Sequence, residues 1–130
     1  MFDSYNWNKK VILVAEDEEI NYLFLEEVIN RTGAAVIWAK NGQEAMDLFK
    51  SNEIDLVLMD LKMPEINGYE AMRFIKETGT GIPVIAQTAF AMSSEREEIL
   101  EAGFDGYIAK PIKIPQLLSI IAGCFIDTEK

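Results

Sequence analysis

A chain of 130 residues is long enough for one domain that buries most of its apolar surface without disulfides or a structural metal. Its net charge of -10, from 22 acids against 12 bases, repels a phosphate backbone and argues against direct nucleic-acid binding, and no apolar run approaches the roughly eighteen residues that span a bilayer. The absence of histidine removes Ser-His-Asp and Cys-His catalysis, histidine-ligated metals and any phosphohistidine on the chain itself, so the chemistry must run on carboxylates, hydroxyls and lysines.

The opening MFDSYNWNKK has its lysines after its apolar residues and no long apolar stretch behind them, unlike a secretory signal, so the cytoplasm is the expected compartment. Residues 1–9 read as a tail or linker in which Phe2, Tyr5 and Trp7 either staple onto the domain or end a connection from a preceding one. From Lys10 to Ala15 the chain is a continuous apolar strand, after which Ile20, Leu23, Phe24 and Val28 recur at helical spacing until Gly33. The unit then repeats. Strand 35–39 precedes helix 43–50, strand 56–59 precedes helix 69–76, strand 83–88 precedes helix 94–102, and strand 107–109 precedes a helix from Pro115 to about Ile121. Cys124, the single cysteine, cannot form an internal disulfide and has no histidine or second thiol to join it in a zinc site, so it reads as a small buried or half-buried apolar residue. Residues 10–124 form the expected domain and 125–130 a C-terminal tail.

Strands apolar on both faces, alternating with amphipathic helices, imply a five-stranded parallel sheet covered on both sides, a doubly wound α/β fold. Ligands bind such sheets beyond the carboxyl ends of the strands. The first strand ends at Glu16 and Asp17, the third at Asp60, the fourth at Thr88 and the fifth at Lys110 and Pro111. Singly, each has an ordinary reading: Asp17 as a helix cap, Thr88 as a β-branched strand residue, Lys110 as a solvated charge. Asp60 resists that treatment, because it directly follows the apolar run LVLM and the next helix starts only near Gly68. Together, three carboxylates, a hydroxyl and a lysine gather at one edge, where the acids repel unless a cation sits among them. Hard oxygen donors suit Mg²⁺ or Mn²⁺, and a carboxylate beside such an ion with an ammonium opposite suits acceptance of a phosphoryl group. By the same logic, Glu18 and Glu19 are first-turn acids favoured by the positive end of the first helix.

Four stretches, VILVAEDEE, LVLMDLKMPEINGYE, VIAQTA and GYIAKPI, in this order and at these intervals, make the chain resemble the receiver domain of two-component response regulators from about Lys10 to Ile121. The resemblance implies a flavodoxin-like (βα)5 fold with strand order 2-1-3-4-5. It also implies Asp60 as phosphoacceptor, Asp17 and Asp60 as Mg²⁺ ligands with Glu16 acting through water, and the backbone carbonyl of Lys62 as a further ligand. Lys110 then pairs with the phosphoryl group from a cis Lys110-Pro111 bond, while Thr88 and Tyr107 turn inward as switch residues. The surface of the fourth helix, fifth strand and fifth helix becomes the output face, and a possible homodimer contact through the fourth and fifth helices. The phosphodonor is a histidine kinase or histidine phosphotransfer protein, expected to dock near the first helix.

Lys62 and Phe90, two residues beyond Asp60 and Thr88, occupy family positions that flank the attacking water, and their bulk is expected to slow dephosphorylation. Gln87 stands where an apolar residue is common in the family, with no functional account. Between a free-standing regulator and the receiver of a longer hybrid sensor kinase, the acidic pair followed by Glu-Ile-Asn, the TAFAM stretch and GYIAKPI are more similar to the receivers of hybrid kinases, and no output domain is expected after Lys130. Two other readings remain open. A degenerate receiver would signal without phosphorylation, although Asp17, Asp60, Thr88 and Lys110 are all intact. A haloacid-dehalogenase-like phosphatase would need a second aspartate where Lys62 stands.

Overall fold

The computed structural model describes residues 5–89 and 93–128. Five strands alternate with five helices: β1 Val11–Ala15, α1 Glu19–Asn30, β2 Ala35–Ala39, α2 Gly42–Ser51, β3 Leu56–Asp60, α3 Gly68–Glu77, β4 Val84–Thr88, α4 Ser93–Ala102, β5 Gly106–Ala109 and α5 Ile114–Thr128. All pairings are parallel, in the order β2-β1-β3-β4-β5, as the resemblance implies.

The side chains of each strand alternate between two core layers. Leu13, Val57, Met59, Val84 and Ala86 pack towards α2, α3 and α4, while Ile12, Val14, Leu56, Leu58, Ile85 and Ile108 pack towards α1 and α5. The central strand β3 is buried throughout, which is why LVLM is apolar on both faces. α2 and α3 start at the side chains of Asn41 and Asn67, which accept from Glu44 N–H at 2.8 Å and Glu70 N–H at 3.1 Å.

Two elements depart from the sequence reading. In α1 the buried residues are Tyr22, Leu25, Val28 and Ile29, whereas Ile20, Leu23 and Phe24 are exposed at 82%, 48% and 40%. The helix carries two apolar stripes, and the stacking of Tyr22 on Trp38, rings parallel and 4.3 Å apart, accompanies the one turned inward. α5 runs to Thr128 rather than ending near Ile121. Its extra turns are tied down by Phe125, which meets the buried Trp7 edge-on at 5.3 Å and lies under the Lys10 ammonium. Trp7 is further held by its N–H donating to the Thr32 carbonyl at 2.8 Å.

Candidate functional site

The carboxyl ends of β1, β3, β4 and β5 open into one cleft of about 860 Å³, lined among others by Asp17, Glu18, Asp60, Thr88, Glu95 and Lys110. Its position follows from the parallel topology, which brings every strand end to one edge.

At the end of β1, Glu16 is wholly buried. Its backbone is clamped on both sides, with its N–H donating to the Ala39 carbonyl at 2.9 Å and its own carbonyl accepting from the Trp38 indole at 2.8 Å. Asp60, 5% exposed, accepts from the Lys62 backbone N–H through Oδ1 at 3.1 Å and from the Lys110 ammonium through Oδ2 at 2.9 Å. The same ammonium reaches Glu16 Oε2 at 3.3 Å. Lys110 is brought there by its N–H bond to the Thr88 carbonyl at 2.8 Å, and the Lys110-Pro111 peptide is cis.

Charge explains the local chemistry. Burial pushes the Glu16 carboxyl up, the Asp60 charge adds to this, and Lys110 only partly reverses it. Burial pulls the Lys110 ammonium down, but the hydrogen bond and charge of Asp60, followed by Glu16, outweigh burial and leave it raised. Carboxylate oxygens of Glu16, Asp17 and Glu18 lie within 4.8 Å of one another. These three acids and Asp60 carry more negative charge than the Lys110 ammonium beside them offsets, so an all-oxygen donor set fits a hard divalent cation.

The site therefore brings together Glu16, Asp60 and Lys110 in direct contact, with Asp17 exposed at the mouth and the Lys62 backbone against Asp60. Thr88 ends β4 at the cleft, where its hydroxyl donates to the Glu95 carboxylate on α4. Tyr107 is half-buried, with the Arg96 guanidinium 5.7 Å from its ring centre. Phe90 lies outside the described residues.

Two contributors escaped sequence reasoning. Glu18 joins the acid cluster instead of acting only as a first-turn charge, and its N–H donates to Glu16 Oε1 at 3.3 Å. Glu95 engages Thr88 across seven residues, a contact that the spacing of α4 alone does not reveal.

A parallel five-stranded α/β domain with a lysine bridging two buried acids at its carboxyl edge belongs to the class built to handle a phosphoryl group on a carboxylate. Comparison with known proteins narrows this to a family: the model for the response regulator receiver domain matches residues 12–122, and the chain belongs to that family. It is 39% identical over 114 residues to the polar-differentiation response regulator DivK of Brucella anthropi, covering 86% of this chain and 93% of that protein. The receiver domain of a Pseudomonas aeruginosa sensor histidine kinase, solved with magnesium coordinated in its active-site cleft, superposes with a TM-score of 0.77 at 35% identity, over 85% of this chain and 93% of that one. The receiver domain of Saccharomyces cerevisiae Ssk1, solved with the histidine phosphotransfer protein Ypd1, matches with a TM-score of 0.77 at 29% identity, over 85% and 84% of the two chains. The protein is a receiver domain of two-component signal transduction. No helix among the described residues is long and apolar enough to cross a membrane.

Proposed function

We propose that Asp60 accepts a phosphoryl group from a phosphohistidine on a partner protein. The observation that carries this reading is the Lys110 ammonium bound at once to Asp60 and Glu16, beside an acid cluster at the sheet's carboxyl edge. An Asp60 carboxylate oxygen forms a bond to phosphorus as the phosphorus–nitrogen bond of the donor breaks. The electron pair of that bond stays on the imidazole, which takes up a proton. Lys110 follows the negative charge from the carboxylate to the phosphoryl oxygens.

Mg²⁺, held by Asp17 and Asp60 with Glu16 and the Lys62 carbonyl supporting, would supply charge neutralisation at the phosphoryl oxygens. The magnesium-bearing Pseudomonas receiver supports this choice of ion. Because binding would relieve repulsion present only in the folded state, Mg²⁺ at a hundred-fold excess over its Kd is expected to stabilise the protein by about 2.7 kcal/mol, or roughly 8 °C in Tm. Thermal melts at low ionic strength with Mg²⁺ and with chelator check this, and superimposable curves would count against the site.

Thr88 must give up Glu95 to reach a phosphoryl oxygen, so the resting bond to α4 and the phosphoryl group compete for one hydroxyl. That competition couples the state of Asp60 to α4, and Tyr107, packed under Arg96 of the same helix, shares in it.

The docking surface for the donor is the exposed start of α1. Ile20 and Phe24 form, with Pro111 and Ile112, a depression of about 580 Å³ that shares Asn21 and Lys110 with the Asp60 cleft. A partner seated there presents its histidine to Asp60, and the Ypd1–Ssk1 complex supports a phosphotransfer protein in that role. A cytoplasmic setting accords with such a donor.

The deciding experiment is incubation with Mg²⁺ and a small phosphodonor, which should yield a base-labile adduct by mass that Asp60→Asn abolishes. Ile20→Lys should slow transfer from a phosphorylated histidine protein by about ten-fold while leaving the small donor's rate intact. An adduct that survives Asp60→Asn would place the acceptor elsewhere.

A further inference from the structure

Gln87 is wholly buried in β4, and it is the one described residue whose buried side-chain polar atoms, Nε2 and Oε1, have no hydrogen-bond partner. An amide sealed from water with neither end paired is costly, and an apolar residue would remove the cost. Its location is specific. Gln87 sits in register with Asp60 on one side and Ile108 on the other, and it lines the phosphoacceptor cleft. Two residues after Ile85, it shares the sheet face that turns towards α1 and α5.

The path of Lys110 passes this amide. Lys110 follows the end of β5, yet its ammonium binds Asp60 at the end of β3, two strand spacings or roughly 10 Å away, so the lysine and aspartate side chains together bridge the strand between them. The strand between is β4, and the β4 residue in register with Asp60 is Gln87. In the resting protein the ammonium is engaged by two carboxylates, Asp60 and Glu16. Phosphorylation converts the Asp60 carboxylate to an acyl phosphate and moves its charge outward onto the phosphoryl oxygens, so the ammonium must shift with it, and the unpaired carboxamide oxygen of Gln87 on the intervening strand is a neutral acceptor available to it there.

Resting on the phosphoacceptor reading of Asp60, we propose that Gln87 is a positioning residue for Lys110: its Oε1 accepts from the ammonium once Asp60 carries a phosphoryl group, and so aims the cation at that group. The unpaired amide of the resting state is then an acceptor held in reserve for the phosphorylated one.

The test uses the full chain with Mg²⁺ and beryllofluoride, a phosphoryl stand-in. Gln87→Met keeps the side chain's length and approximate volume while removing both polar atoms. The variant should melt at or above the parent's temperature and bind Mg²⁺ alone with the parent's affinity. Its beryllofluoride affinity should fall by about ten-fold, the scale of one hydrogen bond to a charged group. In a Lys110→Met background the same substitution should cost nothing further, because the lysine it positions is gone. Parental beryllofluoride affinity in Gln87→Met, or an equal loss with and without Lys110, would overturn the proposal. A parent that shows no Asp60-dependent beryllofluoride binding would overturn the phosphoacceptor reading, and this proposal with it.

Discussion

Lys110→Met is expected to destabilise the metal-free protein by about 3 kcal/mol at pH 8 and to slow phosphorylation by a small donor by roughly 10² to 10³. The stability loss comes from what is left behind. Glu16 is wholly buried and Asp60 nearly so, and without the ammonium their like charges repel each other with that compensation gone. The rate loss comes from removing the ammonium that binds Asp60.

The stability effect should depend on pH with a definite sign. The Glu16 carboxyl is raised above its ordinary 4.5, first by burial and then by Asp60. An acid raised on folding binds its proton more tightly in the folded state. Its stabilising contribution is therefore full below the unfolded value and lost as pH rises through the folded one. Removing Lys110 takes away a lowering influence and moves that loss to higher pH. Lys110 itself is raised above 10.5, so in the parent its contribution is intact below that value and fails only as pH rises through its folded value. Urea unfolding of parent and variant at pH 5.5 and 8 should thus show a smaller gap at the lower pH. A gap that widens on acidification would contradict this account of Glu16.

Gly68→Ala should cost about 2 to 3 kcal/mol for a steric reason that has nothing to do with backbone freedom. A Cβ at Gly68 would lie 2.3 Å from the Asp60 carbonyl oxygen and 3.0 Å from Leu61 Cα. Both neighbours are backbone atoms and cannot swing aside. The first turn of α3 also donates from Gly68 N–H to the Leu61 carbonyl at 3.2 Å and is capped by Asn67. Opening this contact should shift the strand end that carries Asp60, so the phosphorylation rate should fall along with the denaturant midpoint. Unchanged values of both would mean that the approach of α3 to β3 relaxes without consequence.

Much of the fold was legible because its signals are local. LVLM and VIA are apolar on both faces since β3 and β4 are covered on both sides, and the turn residues between units mark where the chain reverses. The strand-end rule then located Glu16, Asp60, Thr88 and Lys110 before any contact was known. α1 shows the limit: hydrophobic spacing identifies a helix, but when apolar residues occupy two stripes it does not say which is buried. The outward stripe, Ile20 and Phe24, borders the cleft. α5 shows another limit, since its last turns owe their stability to Trp7, a partner more than a hundred residues away in the chain.

By itself the sequence determined the parallel α/β architecture and which residue types stand at the strand ends, because strand periodicity and chain reversals depend on near neighbours. The tertiary structure alone decided that Lys110 binds Asp60 and Glu16 together, that Glu18 completes the acid cluster, that Glu95 holds Thr88, and that Gln87 lies buried between Asp60 and the lysine's origin. These are contacts between elements distant in the chain, set by sheet register and by the angle at which each helix packs, and no local pattern encodes them.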